Sequence, residues 1–526
     1  MNKKFLLLLL GASSLALSSC QKTIFDIVGG LGGIPGESDY VISLPDGNYG
    51  QAMNTISMED YSLNAGIVPT PAEGNVNILV LPIVIEDYDL SSSEKSKVLA
   101  DLDLAFNGQA EETGWQSVSS FYEESSYGKL NFRATVAPWY DSGLTVAEIE
   151  RQNVSSDSAE GVSYLMRSAV EHYRSQSGSS LREFDSNGDG FLDAVWMVYS
   201  APYDGSGAST VQWAFTFWDY EAATDASYSA PVGYAYSWAS YEFLYEGYGR
   251  SSIDAHTFVH ETGHLLGLND YYDTSGLTSP TGYVDMMDAN IIDHCAYTKF
   301  SLGWISPYVV TGEGSITIGN LAETGDAVLI PTKAGYRGSS FGEYLLLELY
   351  APVALNRQDA ASPYPGNGIQ GFSRPGIRVY HVDARLQRIV EINGEYYLYD
   401  YVNEIPPEGC YMGASNTISS QADASEAFRQ ISLIAPSRVG VSFETENICA
   451  SKAGGLGGTV IDGVSDCLFM AGEGMNYADA AIKKQFPNGR QGKQLLSNDE
   501  KGFAYSFEVA SIASDGSEAT INFTRA

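Results

Sequence analysis

Through the first three hundred residues, apolar runs alternate with stretches of helical period. The continuous apolar run from Val76 to Ile85 in "NVNILVLPIVIEDY" predicts a strand buried on both faces. "SSSEKSKVLADLDLAF" predicts a helix opened by capping serines, and a second helix begins near Trp115 and stops at Gly128. "LNFRATVAPWY" is strand-like, and "VSYLMRSAVEHYRS" is a further helix. This order predicts an α/β layered domain over residues 75–307. From residue 308 the pattern changes to short strands and turns, as in "SITIGNL", "YLLLELY", "GIRVYHV" and "ATINFTR". A β-rich, sandwich-like region over 308–526 is expected, with its boundary near Pro307. Residues 21–74, rich in Gly, Pro, Ser and Asn with weak periodicity, read as a tether or pro-segment.

The first twenty residues read as an address. Lys3 and Lys4 precede an apolar run too short for a permanent membrane helix, which ends in "LSSC" at Cys20. That ending resembles a bacterial lipobox, in which the cysteine is lipidated and becomes the mature N-terminus. The expectation is an extracytoplasmic, cell-surface or envelope lipoprotein that meets the membrane only through this anchor. Lys and Arg number 29 against 65 Asp and Glu, a net charge of −36, which repels phosphate backbones and excludes nucleic acid as a partner. Cys295, Cys410, Cys449 and Cys467 remain, none at C-x-x-C spacing. Outside the cytoplasm they allow one or two disulfides or buried free thiols.

Six histidines serve 526 residues, yet three of them, His256, His260 and His264, fall within "HTFVHETGHLLGLNDYYD". On a helix, His260 and His264 share one face a turn apart, with Phe258, Leu265 and Leu266 left for a core. Two imidazoles so spaced can hold one Zn²⁺, and Glu261 can reach a water at the metal without binding it. Gly267 can take positive φ and turn the chain so that Asp270 becomes the third ligand, giving H-E-x-x-H-x-x-G-x-x-D. This parallels the metzincin pattern with Asp in place of the third His. Asp273 is the nearest substitute, and His294 a further one. Met287 is the candidate methionine beneath the zinc, ahead of Met286. His256 is either a supporting group or simply exposed. Tyr271, Tyr272 and Tyr297 are candidate donors to a developing oxyanion.

A second metal is suggested by "FDSNGDGFLDAVWMVYS". Asp185, Asn187, Asp189, the Phe191 carbonyl and Asp193 alternate around Gly190 as oxygen ligands do in a calcium loop. Position twelve is Trp196 rather than Glu, and a strand-like run follows, so the loop lacks its own bidentate carboxylate. The competing reading is an acidic turn.

"HETGHLLGLNDYYD" resembles the active-site segment of the immune inhibitor A family of secreted bacterial zinc metallopeptidases. "SVSSFYEESSYGKLNF", "VQWAFTFW", "DMMDAN…AYTKFSLGWI", "EYLLLELY" and "GIRVYHVDARL" agree with that family in order, and the similarity spans roughly residues 75–390. The resemblance implies an α+β protein with a zincin- or metzincin-like catalytic domain, zinc-dependent endoproteolysis of proteins or peptides, and an exported location. Two departures are the "SAPYDGSG" stretch after the central strand and an aromatic insertion at 218–248 before the zinc helix, both expected to reshape the cleft. The rival function is a non-catalytic surface binding protein on a peptidase scaffold. The intact Glu261 argues against it, because loss of the general base is the simplest route to a dead enzyme.

Overall fold

The computed structural model describes residues 49–526 except 53, 66, 153–159, 206–208, 210, 223–225, 275–279, 393–394, 401–409, 418–427, 440–466, 487, 490–492, 495–496 and 498–500. Cys20 and the rest of the expected signal, like Cys449, lie outside the described residues. The chain forms two compact units. One is Ile67–Asn269, the central unit; the other joins Met1–Gly66 to Asp270–Ala526, the flanking unit. The texture of the sequence changes near residue 308, whereas the units divide between Asn269 and Asp270.

The stretch read as a tether is structured where it is described. Strand β1 (Tyr49–Gln51) and helix α1 (Met58–Asn64) belong to the flanking unit. Ser57 caps α1: its hydroxyl accepts from the Asp60 N–H at 3.1 Å, and its own N–H donates to the Asp60 carboxylate at 2.8 Å. Weak periodicity hid both elements, because one is three residues long and the other less than two full turns.

The central unit is a mixed sheet with helices against it. Its strands are β2 (Gly74–Val84), β3 (Leu130–Val136), β4 (Tyr140–Asp141), β5 (Ala194–Tyr199), β6 (Phe215–Trp218) and β7 (Ala235–Ser240). They lie in the order β3-β2-β5-β7-β6, with β4 also pairing β2. β3, β2, β5 and β7 are parallel, and the edge strand β6 runs antiparallel to β7. β2 and β5 are apolar because both their faces are covered. One face packs on α4 (Glu160–Ser177), where Leu79, Leu81, Ile83, Met197, Tyr236 and Trp238 meet Leu165, Met166 and Ala169. On the other face, α2 (Ser92–Asn107) is capped by Ser91 as its serines suggested, and α3 (Val118–Ser125) by Ser117. Phe106 of α2 meets Trp196 of β5 edge-on, with ring centroids 5.6 Å apart.

In the flanking unit the order is helix α6 (Met286–Ala289), α7 (Ala296–Ser301), then β8 (Tyr308–Val310), β9 (Gly314–Gly319), β10 (Ala327–Pro331), β11 (Glu343–Tyr350) and β12 (Gly376–Asp383). β13 (Leu386–Ile392), β14 (Glu395–Asp400), β15 (Cys410–Met412), β16 (Ile431–Ile434) and β17 (Gly474–Met475) follow. The short pair β18 (Asn488–Gly489) and β19 (Lys493–Gln494) precedes β20 (Tyr505–Ile512) and β21 (Glu518–Arg525). A six-stranded sheet orders them β1-β8-β10-β11-β12-β16, a four-stranded one β17-β20-β21-β9, and a three-stranded one β14-β13-β15. Ile316 and Ile318 of β9, Val328 and Ile330 of β10, Leu347 of β11 and Ile521 of β21 share one buried core. The protein is thus mixed α and β with several sheets. Cys295 is a buried free thiol, and Cys467 is disulfide-bonded.

The segment from Val284 to Lys299 is fixed through buried polar groups. Arg378 pairs with Glu348, both almost wholly buried, and donates from Nη1 to the Val284 carbonyl at 3.2 Å. The other Glu348 oxygen accepts the Ala296 N–H at 2.6 Å. Asp285 accepts the N–H groups of Met287 at 2.9 Å and Cys295 at 3.0 Å. Asp359 accepts from Ile292 at 2.7 Å, and Lys299 pairs with Asp293 at 2.7 Å. Backbone groups that no regular element satisfies are met by side chains, as burial requires.

Candidate metal site and peptidase domain

Helix α5 (His256–Leu265) carries the histidines, and three contacts seat it in the central unit. Phe258 packs on Trp196 with ring centroids 5.1 Å apart and on Phe106 at 5.6 Å. The Trp196 indole N–H donates to the Thr262 hydroxyl at 3.1 Å, and the Tyr122 hydroxyl donates to the Val259 carbonyl at 2.8 Å. Phe258, Leu265 and Leu266 are buried, as the helical reading expected. No side chain of the N-cap residue Ala255 caps the helix, but Asp254 one position earlier accepts the His256 N–H at 3.0 Å. At the other end Gly267 has φ 91°, the left-handed turn expected of it.

His260, Glu261 and His264 come together, with one donor atom from each lying within 4.8 Å of the others. This is the one such group of three or more acidic, His or Cys side chains among the described residues. His260 and Glu261 are buried, at 5% and 8% exposure, and His264 is half-buried. His264 Nδ1 lies 2.8 Å from the Leu268 carbonyl. A carbonyl only accepts, so Nδ1 carries the proton and Nε2 presents its lone pair, the tautomer that a metal ligand needs. The donor set therefore fits a divalent metal that takes nitrogen ligands.

Other candidates are placed differently. His256 is completely buried rather than exposed: Nδ1 meets Asp254 at 2.8 Å and the ring stacks on Trp115 at 4.1 Å. Beside it, burial pushes the Glu246 carboxyl up to about 7, the Asp254 charge adds to this, and Thr257 and His256 oppose it. Asp270 and Met287 belong to the flanking unit. Met287 is buried, and its carbonyl accepts the N–H of Tyr271, the residue after Asp270. Burial raises Asp288 to about 7; bonds from Thr281 and Tyr283 work against that, and the charges of Asp285 and Asp270 add to it. Asp273 is buried where its charge favours that of Arg429, which burial lowers to about 10. His294 is also buried. The Tyr271 hydroxyl is held by Thr298 at 2.6 Å and that of Tyr297 accepts from Gln430 at 3.1 Å. Both rings are buried.

The loop from Asp185 to Asp193 folds around its own carboxylates. Asp185 accepts the N–H groups of Gly188, Asp189 and Gly190, and Asp193 accepts that of Ser186. Asp189 accepts from the Asn187 amide at 3.0 Å and the Phe191 N–H at 2.8 Å. Gly190 has φ 92°, and a Cβ there would sit 2.7 Å from the Ser227 nitrogen, so only glycine fits. Burial lifts Asp193 to about 7 against its bonds from Ser186, and the Asp185 and Asp189 charges add to the rise.

The sequence reading passed over two residues at the site. Thr216 of β6 places its hydroxyl 3.0 Å from Glu261 Oε2, and the Ser237 hydroxyl of β7 is 2.7 Å from it. The signal lay in "VQWAFTFW", a polar residue alternating with aromatics on a short strand.

Residues 101–292 match the family model of the immune inhibitor A peptidase M6 catalytic domain. The span carries an M6-type peptidase domain. The family resemblance seen around His260 and His264 is thereby borne out over this stretch. A solved structure of catalytically inactive OgpA from Akkermansia muciniphila, in complex with an O-glycopeptide substrate (glycodrosocin), aligns at 10% identity. That alignment covers 65% of this chain and 96% of the other, with a TM-score of 0.21. No curated protein sequence matches the chain. Among the described residues, no helix is long and apolar enough to cross a membrane.

Proposed function

We propose that the protein is an exported zinc metalloendopeptidase that hydrolyses peptide bonds of extracellular proteins. The observation that carries this is the convergence of His260, Glu261 and His264 on one helix inside the M6-type domain. His260 and His264 would hold the metal. Asp270, three residues past the turn at Gly267, is proposed as the third ligand; Asp273 is less suited because its charge serves Arg429. Zinc bound there supplies Lewis-acid activation of a water and of the scissile carbonyl. Glu261, adjacent to His260 in sequence and assigned no place among the ligands, takes the proton of the attacking water and delivers it to the leaving amine. Met287 is proposed as the methionine under the site. Anchoring through Cys20 belongs to the same reading, on the strength of the "LSSC" ending.

Incubating the mature protein with casein tests the function. Cleavage is expected, lost on chelation with 1,10-phenanthroline and restored by added zinc. Asp270→Ala is expected to lose most of its zinc while keeping its fold, whereas loss of a mere cap costs about 0.5–2 kcal/mol of stability and spares the metal. Full zinc in that variant would move the third ligand elsewhere, and casein left intact in every condition would remove the function itself.

We also propose calcium in the loop from Asp185 to Asp193, because Asp185, Asn187, Asp189, the Phe191 carbonyl and Asp193 alternate as oxygen donors around the turn at Gly190. An ion that binds only the folded form adds about 2.7 kcal/mol at a hundredfold excess over its dissociation constant. Calcium should therefore raise the melting temperature, and Asp189→Ala should abolish the rise with zinc content unchanged. Equal melting of the wild type in calcium and in a calcium-selective chelator would leave only an acidic turn.

A further inference from the structure

We infer that Thr216, braced by Ser237, is a positioning residue that holds the Glu261 carboxylate in place for proton transfer. The inference rests on Glu261 being the proton carrier proposed above. Strand β6 is the antiparallel edge of the central sheet, and its side chains alternate between faces. Phe215 and Phe217 point to one face, against Trp238 at 5.2 Å and Tyr236 at 6.5 Å. Thr216 therefore points to the other, where α5 lies.

There its hydroxyl oxygen has three oxygen neighbours: Ser237 Oγ at 2.7 Å, the Glu261 carbonyl at 2.9 Å and Glu261 Oε2 at 3.0 Å. A carbonyl and an ionised carboxylate only accept, whereas Ser237 can donate. Ser237, fully buried and paired with Thr216 in the strand register, can donate to Thr216 and also lies 3.4 Å from the Glu261 carbonyl; the Thr216 proton is then available to the backbone and side-chain oxygens of Glu261. A donor whose own oxygen accepts a hydrogen bond is the stronger for it. The hydroxyl spans the main chain and the carboxylate of one residue, so it fixes the Glu261 rotamer relative to the helix that carries His260 and His264. A long, flexible side chain is thereby held before any substrate arrives, as catalysis by a positioned group requires. A slip of β6 by one residue would bring a phenylalanine to this point instead.

Thr216→Val keeps the shape and removes the hydroxyl. In the zinc-loaded full chain acting on a quenched fluorescent peptide cut from casein, kcat should fall about tenfold, the worth of one hydrogen bond to a charged group. KM and zinc per chain should stay as in the wild type. Thr216→Ser, which restores the hydroxyl, should recover at least half of the lost rate, and Ser237→Ala should lose less than Thr216→Val. Crystal structures of the zinc-free variants supply a readout independent of activity: the Glu261 carboxylate should swing away in Thr216→Val and return in Thr216→Ser. Wild-type kcat in Thr216→Val, a loss that serine does not repair, or an unmoved carboxylate would each overturn the inference. If the wild type cleaves nothing, or if Glu261→Ala stays active, the proposed function fails instead, and the Glu261 rotamer still decides this one.

Discussion

Glu261→Ala should bind zinc like the wild type and cleave casein at least about a hundredfold more slowly. Removing a general acid–base group typically costs between about 10² and 10⁴ in rate. Retention of metal is expected because His260 and His264, with the His264 tautomer fixed by the Leu268 carbonyl, do not depend on the carboxylate. Zinc per chain by atomic absorption, set beside the rate, separates the two properties. A variant that keeps more than a tenth of the activity would show that another group moves the proton, and a variant that loses zinc would make Glu261 a ligand.

Arg378→Met should destabilise the flanking unit by about 3–5 kcal/mol, the usual cost of leaving one partner of a buried ion pair alone. Arg378 is 1% exposed and Glu348 is not exposed at all. The guanidinium also lies over the rings of Tyr350 at 5.1 Å and Tyr380 at 5.6 Å. The loss should appear as a lower melting temperature by calorimetry. Adding Glu348→Gln should recover part of it, since a neutral amide is cheaper to bury than a lone carboxylate. An unchanged melting temperature in Arg378→Met would mean that Glu348 finds other compensation. Because Arg378 also holds the Val284 carbonyl, proteolytic nicking near residues 284–296 should accompany any large loss.

The parts of the site legible in the sequence are those that depend on local spacing. His260 and His264 share a face because a helix repeats every 3.6 residues, and Gly267 turns where a helix must end; both needed only the order of residues. Thr216 reaches Glu261 from 45 residues away through the pairing of two strands, and no spacing encodes that register. His256 looked available because the motif drew attention to all three histidines, yet Asp254 and Trp115 bury it. The long strands and helices were legible from their period, whereas β1 and α1 were too short to show one. Arg378 interrupts the run "GIRVY", and its partner Glu348 breaks "YLLLELY" in the same way. A charge inside an apolar run is a legible sign of a buried pair, though not of which pair.

The return of the N-terminal stretch to the flanking unit sets an order of assembly during synthesis. β1 pairs with β8, and Asn54 bonds to the Phe300 carbonyl and the Ser340 N–H, which lie 246 and 286 residues further along. The whole central unit leaves the ribosome before those partners exist. It is contiguous in sequence and carries its own core, so it can close first, as domains made early generally do. The earliest residues of the described chain are thus among the last to find their place.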